Sequence, residues 1–248
     1  MAVKTRKDSI YVIYEGYREG YFLEHLERQS DVRLNSQFCS GGSSNQIVLG
    51  GIKHSDRNVN VYIIFDEDFE TKPDQKISDE TLEYLAKKWK LNQNDLKRCP
   101  YKQLQAMNTG ERSPLLVISH PQSIEGFLLR LLDSHQKDTL ERKTTKQLKD
   151  MIESILNNVR PQNEDAHQIQ SYDEKIAKYR EEIAKQKQSE PNYREHRRFL
   201  ESKIADYERK KNKVTFMRFL SKELPLPVMA AKRSGIPEID ILLKAFGL

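Results

Sequence analysis

Two short acidic motifs are the parts of this chain most able to do chemistry. Glu15 follows the apolar run SIYVIY, and Asp66 and Asp68 follow the apolar run VNVYIIF. Apolar runs of this length and composition predict strands that are buried on both faces. Residues i and i+2 of an extended segment point the same way, so Asp66 and Asp68 can converge on one cation. If the two strands are neighbours in a parallel sheet, Glu15 faces the same point, because ligands bind at the carboxyl ends of such strands.

Three carboxylates at one point repel one another unless a cation neutralises them. Their hard oxygen atoms favour Mg²⁺ or Mn²⁺ over zinc. Such a site suits phosphodiester chemistry, because the metal withdraws charge from the phosphate while a carboxylate moves a proton. The alternatives are structural: Glu15 can cap the next helix, and the aspartates can form an Asx turn.

The elements that must position these motifs alternate along the first half of the chain. This alternation predicts an α/β fold with a largely parallel sheet over residues 8–135. Its strands are expected at 9–14, 32–39, 58–65 and 115–121, and its helices at about 19–29, from the turn at 41–46 to about 54, at 78–97 and at 124–132.

The second half, residues 136–248, shows no convincing strand. Apolar residues at heptad-compatible spacing on either side of the turn SEPN predict an antiparallel helical hairpin at about 172–216. Lys and Arg outnumber Asp and Glu within it, which indicates either a solvated face or a surface that meets nucleic acid or a partner protein. The C-terminal tail is so apolar that we expect it to dock on the core or on a partner.

Composition narrows the class of protein. The formal net charge of +5 permits a polyanionic partner without requiring one. The two cysteines, Cys39 and Cys99, match no zinc spacing and are expected to be reduced thiols. No run approaches the ~18 apolar residues of a membrane span. These features predict a cytoplasmic protein that does not associate with membranes.

The acidic motifs and their neighbours resemble a known family. A strand that ends in Glu-Gly, with a DxD closing a later strand, is similar to the TOPRIM domain of topoisomerases, primases and OLD-type nucleases. The closer resemblance is to RloB-like and related small TOPRIM proteins of bacterial defence loci. It covers residues 8–135 in pieces, with an echo in the C-terminal IPEIDILLKAF. The matching stretches are YEGYREGYFLEHL (14–26), FCSGGSSNQIV (38–48), VYIIFDEDFE (61–70) and ISHPQSIEGFLLRLL (118–132).

This resemblance implies a TOPRIM-like fold and a Mg²⁺- or Mn²⁺-dependent endonuclease with a metal site at Glu15, Asp66 and Asp68. It adds Glu125 as a catalytic residue, from a Pro-x-x-x-Glu helix start, although Ile124 stands where the family commonly has an aromatic residue. It further implies an anti-phage effector beside an ABC- or SMC-like ATPase, and a homodimer is possible. A DNA or a tRNA substrate, and a non-catalytic subunit of the ATPase, remain open alternatives.

Overall fold

The fold is taken from a computed structural model, which describes residues 9–14, 16–38, 61–66, 115–119, 123–133, 136–159, 161–186, 192–233 and 235–248. The helices predicted at 41–54 and at 78–97 lie outside these residues. The described part of the chain is mostly helical and contains one parallel sheet.

The sheet has four described strands: β1 (Ser9–Tyr14), β2 (Arg33–Phe38), β3 (Val61–Asp66) and β4 (Leu115–Ser119). Their order is β2-β1-β3-β4, and every neighbouring pair is parallel. The prediction of an α/β fold with a parallel sheet is therefore confirmed for these strands. All four strands lie within one or two residues of a predicted range, except that β3 begins three residues later than predicted.

The central position of β1 and the edge position of β2 in the described sheet follow from their sequences. Ile10, Val12 and Ile13 of β1 are buried, as expected of a strand that is flanked by neighbours on both sides. In β2 most residues are exposed polar side chains, which suits the edge of a sheet, where water is available to one row of backbone groups.

Helices follow the strands and make up the rest of the described chain. Two residues separate β1 from helix α1 (Tyr17–Arg28), whose Phe22 packs edge-on against Phe127 of α2 (Ile124–Leu132), with the ring centroids 5.8 Å apart. None of the described helices is long and apolar enough to cross a membrane. In chain order they are α1 (Tyr17–Arg28), α2 (Ile124–Leu132), α3 (Lys137–Glu141), α4 (Thr145–Asn157), α5 (Asn163–Lys185), α6 (Tyr193–Glu223), α7 (Leu226–Ala231) and α8 (Pro237–Ala245).

The C-terminal tail is docked, in accord with its apolar sequence. Its link to α2 is partly ionic: Arg130 donates to the Glu238 carboxylate at 3.5 Å and to the carbonyl oxygen of Gly235 at 3.2 Å. Lys232 donates to the Leu132 carbonyl at 3.2 Å. The tail buries Ile236, Ile239, Leu242, Leu243 and Phe246.

The chain forms two compact units, Met1–Glu153 with Glu223–Leu248, and Ser154–Lys222. These units divide the chain after residues 153 and 222, whereas the predicted boundary lay between 135 and 136. Helix α3, most of α4 and the tail therefore belong to the unit that contains the sheet, which we call the sheet unit. The other unit, called the hairpin below, contains α5 and most of α6.

The hairpin helices run antiparallel, as their apolar spacing predicts. The rings of Tyr172 and Tyr207 lie 5.9 Å apart, and Lys211 donates to Asp173 at 2.7 Å. His196, near the start of α6, lies 3.2 Å from Glu182, near the end of α5, so positions in α6 fall as their partners in α5 rise. Both helices extend beyond the predicted range of 172–216, since α5 begins at Asn163 and α6 ends at Glu223.

Candidate active site

The carboxyl ends of β1 and β3 lie side by side at one edge of the sheet. The two strands are parallel neighbours, with Tyr14 in register with Ile64. This is the arrangement under which Glu15 and the DxD motif are expected to face one point. Glu15 and Asp68 lie outside the described residues, and of Asp66 only the backbone is described, which pairs with Ser119 of β4.

A side chain at position 16 would meet the Glu19 carboxylate in the first turn of α1. Glu19 is buried in that turn, and its carboxylate lies against the Cα of Gly16. A Cβ at position 16 would overlap the Glu19 Oε2 atom. The Glu-Gly pair therefore has a steric cause in this fold: a side chain at Gly16 would displace a second buried carboxylate from the same edge.

Glu125 is the predicted catalytic residue whose surroundings are best described. It lies in the first turn of α2 and is buried. Its Oε1 accepts a hydrogen bond from Arg18 Nη1 at 2.6 Å, and Arg18 also donates through Nη2 to Glu153 of α4. Arg18 thus links α1, α2 and α4 through two carboxylates.

Two polar atoms at the start of α2 are buried and have no hydrogen-bond partner among the described residues. They are Oε2 of Glu125 and Oγ of Ser123. Buried polar atoms nearly always have a partner, so such atoms commonly mark a place where a bound group completes the contacts. Since an ionised carboxylate can only accept, the group that suits Oε2 is a cation or a hydrogen-bond donor. Both atoms are hard oxygens, the type of ligand that Mg²⁺ and Mn²⁺ prefer.

Three aromatic rings occupy the same edge beside these carboxylates. Tyr14 ends β1, Phe38 ends β2 in register with it, and Tyr17 begins α1. The Phe38 ring lies 5.7 Å from that of Tyr14 and 4.6 Å from that of Tyr17. Burial raises the pKa of Tyr14, a hydrogen bond with Ser36 opposes this, and the charge of Glu19 raises the pKa further. The Tyr14 phenol therefore stays protonated at neutral pH.

Only the backbone of Asp66, among the three predicted metal ligands, lies within the described residues. Within the described ranges there is no group of three or more His, Cys, Asp or Glu residues that could hold a metal ion. Two of the three predicted ligands, and the side chain of the third, lie outside those ranges. The metal site at Glu15, Asp66 and Asp68 therefore stays a prediction.

Arg18 and Glu153 were not found by reading the sequence. They are separated from each other by 135 residues, and Arg18 is 107 residues from Glu125. No local spacing connects positions so far apart. The one available signal was indirect: a glutamate inside the apolar stretch IEGFLLRLL needs a cationic partner if it is buried.

No known protein family, curated protein or solved structure matches the chain. The resemblance to TOPRIM proteins accordingly remains a prediction that rests on the motifs quoted above.

Proposed function

We propose that the chain is a Mg²⁺- or Mn²⁺-dependent endonuclease of the TOPRIM type that cleaves phosphodiester bonds in nucleic acid. The observation that carries the proposal is the parallel pairing of β1 with β3. The strand that precedes Glu-Gly and the strand that runs into the DxD motif end at one edge, and the buried Glu125 has an oxygen with no hydrogen-bond partner among the described residues. Metal-dependent phosphodiesterases use carboxylates gathered in this way to hold their metal ions.

In this proposal Glu15, Asp66 and Asp68 hold the metal ion. The bound ion would supply Lewis acidity toward the scissile phosphate. Glu15 exchanges a proton with the attacking or the leaving oxygen, a role that typically contributes ~10²–10⁴-fold in rate.

Glu125 has a supporting catalytic role in the same proposal. Arg18 holds one of its oxygens and leaves Oε2 to accept a hydrogen bond from water or to contact the cation. The ion pair also lowers the cost of keeping Glu125 ionised while it is buried.

The family resemblance also implies a role in the cell. It suggests a cytoplasmic anti-phage effector that is held inactive by an ABC- or SMC-like ATPase until infection. The presence of Glu15, Asp66 and Asp68 together supports a working enzyme over a non-catalytic subunit, because a degenerate site has no reason to keep all three.

The test is an incubation of the purified chain with Mg²⁺, Mn²⁺ or EDTA against plasmid, single-stranded DNA and total tRNA. Asp66→Ala and Asp68→Ala should abolish cleavage and leave a cooperative thermal melt. Without metal the variants should be at least as stable as the parent, because removing a crowded carboxylate relieves repulsion.

The matched control is Asp150→Ala, which removes an exposed aspartate of α4 and should cleave at the parent rate. Full activity of either DxD variant would contradict the assigned metal site. An absence of cleavage on every substrate, with the ATPase partner both absent and present, would contradict the proposal as a whole.

A further inference from the structure

Helix α4 begins within a short stretch in which every charged residue is positive. Residues 142–149, RKTTKQLK, contain four Lys or Arg residues and no Asp or Glu. Arg142 directly follows α3, and Lys146 and Lys149 lie in the first two turns of α4. All three are exposed, and the described contacts include no ion pair for any of them, neither with Asp150 nor with another acid. Their charges are therefore uncompensated within the described part of the chain.

The start of α4 adds to this positive charge. Backbone N–H groups give the start of a helix a partial positive charge, which favours acidic residues in its first turn. Helix α4 has no acid there and carries Lys146 instead. Thr144 caps the helix, because its Oγ1 accepts a hydrogen bond from the backbone N–H of Gln147 at 3.3 Å. The helix start and the cations beside it therefore attract the same kind of ligand, an anion.

The two lysines of α4 share one helix face with Glu153. Residues three, four and seven positions apart lie on the same side of an α-helix, and Lys146, Lys149 and Glu153 have these spacings. The other side of α4 packs inward through the buried Leu148 and Ile152. The exposed lysines are therefore aligned with Glu153 along the helix axis.

Glu153 joins this face of α4 to the predicted catalytic edge. Its carboxylate accepts a hydrogen bond from Arg18, and Arg18 also donates to the buried Glu125 at 2.6 Å. Arg18 lies three positions after Glu15 in the sequence. All of these residues belong to the sheet unit, so the exposed face of α4 reaches the elements that carry the predicted catalytic acids.

The lysines form a row that starts one helical turn from Glu153. An α-helix rises about 1.5 Å per residue, so Lys149 and Lys146 lie about 6 and 11 Å from Glu153 along the axis of α4. Arg142 precedes α4 and continues the positive charge beyond its start. We call Arg142, Lys146 and Lys149 the basic row.

We propose that the basic row binds the phosphate backbone of nucleic acid and directs it to the catalytic edge. Phosphates follow one another along a strand, so a row of cations matches a nucleic acid better than it matches an isolated anion. Contacts of this kind position the backbone and do not read the base sequence. The direction toward the edge rests on the proposed nuclease function. The binding itself does not, because it requires neither the metal ion nor cleavage.

The first experiment measures binding of the full chain to a labelled DNA duplex in EDTA over a range of salt concentrations. The double variant Lys146→Gln with Lys149→Gln keeps good helix formers and removes two charges. Its affinity should fall about tenfold, and the slope of log K against log salt should become shallower by about two, which is about one per lost phosphate contact. The double variant Lys146→Arg with Lys149→Arg should keep both the affinity and the slope.

The matched control is Arg194→Gln with Arg198→Gln in the hairpin. It removes the same charge from two exposed positions for which the described contacts include no ion pair. Its salt slope should equal that of the parent. This control also separates the basic row from the hairpin face, for which the sequence left contact with nucleic acid open.

The second experiment uses the unaltered chain and an amine-reactive acetylating reagent. Bound duplex should protect Lys146 and Lys149 from acetylation, whereas the exposed Lys178 of the hairpin should react at the same rate with and without DNA. Inorganic phosphate and phosphatidylserine vesicles, at the same concentration of phosphate groups, should protect neither lysine of α4.

Three results would overturn the proposal. They are a parent-like salt slope in the Lys146→Gln, Lys149→Gln variant, an equal change of slope in the hairpin control, and protection of the two lysines by vesicles or inorganic phosphate but not by DNA. Failure of the nuclease proposal gives a different result. If no metal supports cleavage but the salt slope still depends on the basic row, the row stands and the chain is a nucleic-acid-binding protein.

Discussion

The sheet unit buries several charged side chains and pairs one of them, Arg130, with a residue far along the chain, whereas the ion pairs among the described residues of the hairpin are exposed. The side chains of Arg130 and Glu238 are 6% and 10% exposed and are 108 residues apart. The hairpin pair Arg180 and Glu208 is 64% and 47% exposed. Other hairpin pairs, such as Lys185 with Glu181, lie one turn apart on the same helix.

The difference shows where an ionised side chain costs free energy in this protein. A buried ion loses its hydration and needs a well-placed partner, whereas an exposed ion keeps its water and gains little from a neighbour. The sheet unit accepts that cost at Glu19, Glu125, Arg130 and Glu238, and two of these lie at the edge where the sequence predicts chemistry. The same kind of substitution should therefore have unequal effects in the two units.

The largest effect is expected at the predicted catalytic edge. Glu15→Gln keeps the shape of the side chain and removes its charge, so cleavage should fall by ~10²–10⁴-fold. Binding of nucleic acid should persist, because phosphate affinity comes mainly from Lys and Arg. Cleavage and salt-dependent binding are measured on one preparation, with Glu164→Gln at the exposed start of α5 as the control. Cleavage near the parent rate would remove Glu15 from the site.

The next effect is on stability and concerns the buried pair. Arg130→Met leaves the Glu238 carboxylate buried without its cation, which should lower the free energy of unfolding by about 3 kcal/mol. The double variant Arg130→Met with Glu238→Leu should recover much of this loss, since no charge is left stranded. Urea unfolding curves provide the measurement. A single variant as stable as the parent would show that the pair is effectively solvated.

A smaller effect is expected from His25, which is buried in α1. Its Nε2 lies 3.1 Å from the Leu224 carbonyl oxygen, which can only accept, and the Gln29 amide nitrogen lies 2.7 Å from Nε2 and 3.3 Å from Nδ1. Burial lowers the pKa of His25 from its ordinary value of 6.5, the Leu224 contact opposes this, and Arg28 lowers it further. The unfolded chain therefore takes up a proton first as the pH falls. Stability conferred by the neutral ring should be lost below about pH 6.5, with a slope of at most ~1.4 kcal/mol per pH unit.

Thermal melts of His25→Gln between about pH 7 and pH 5 test this, because the variant should lose stability less steeply than the parent over that range. His196→Gln, an exposed hairpin histidine, should follow the parent. Identical slopes for His25→Gln and the parent would show that His25 is protonated equally in both states.

The smallest effect is expected in the hairpin. Arg180→Met removes an exposed ion pair and keeps a good helix former, so stability should change by less than about 1 kcal/mol. The same urea titration that is used for Arg130→Met measures it. A loss as large as that of Arg130→Met would erase the contrast between the two units.

The sequence predicted those elements whose signal is local. The apolar run 9–14 and helix α2 are found at their predicted bounds, because unbroken apolarity marks a buried element. Helix α5 begins nine residues earlier than predicted, because the prediction relied on the apolar stripe that starts at Tyr172. The preceding NEDAHQIQS is polar and is helical through propensity and its acidic first turn.

The sequence singled out acidic residues, whose roles stay predictions, but not their surroundings. Glu125 has the spacing of a motif, but the Arg18 that holds it is connected to it only through the folded sheet. The three aromatic rings at that edge were missed for the same reason, since Phe38 reaches Tyr17 through strand pairing and not through sequence spacing.

The ion pair between Arg130 and Glu238 can form only late in synthesis relative to α2, because its two residues are far apart along the chain. The residues that cover Arg130 of α2 are synthesised 105 and 108 residues after it. Until Gly235 and Glu238 emerge from the ribosome, the sheet unit has a cation without its carboxylate. A nascent chain therefore cannot complete the packing of the helix that carries Glu125 until α8 has been released.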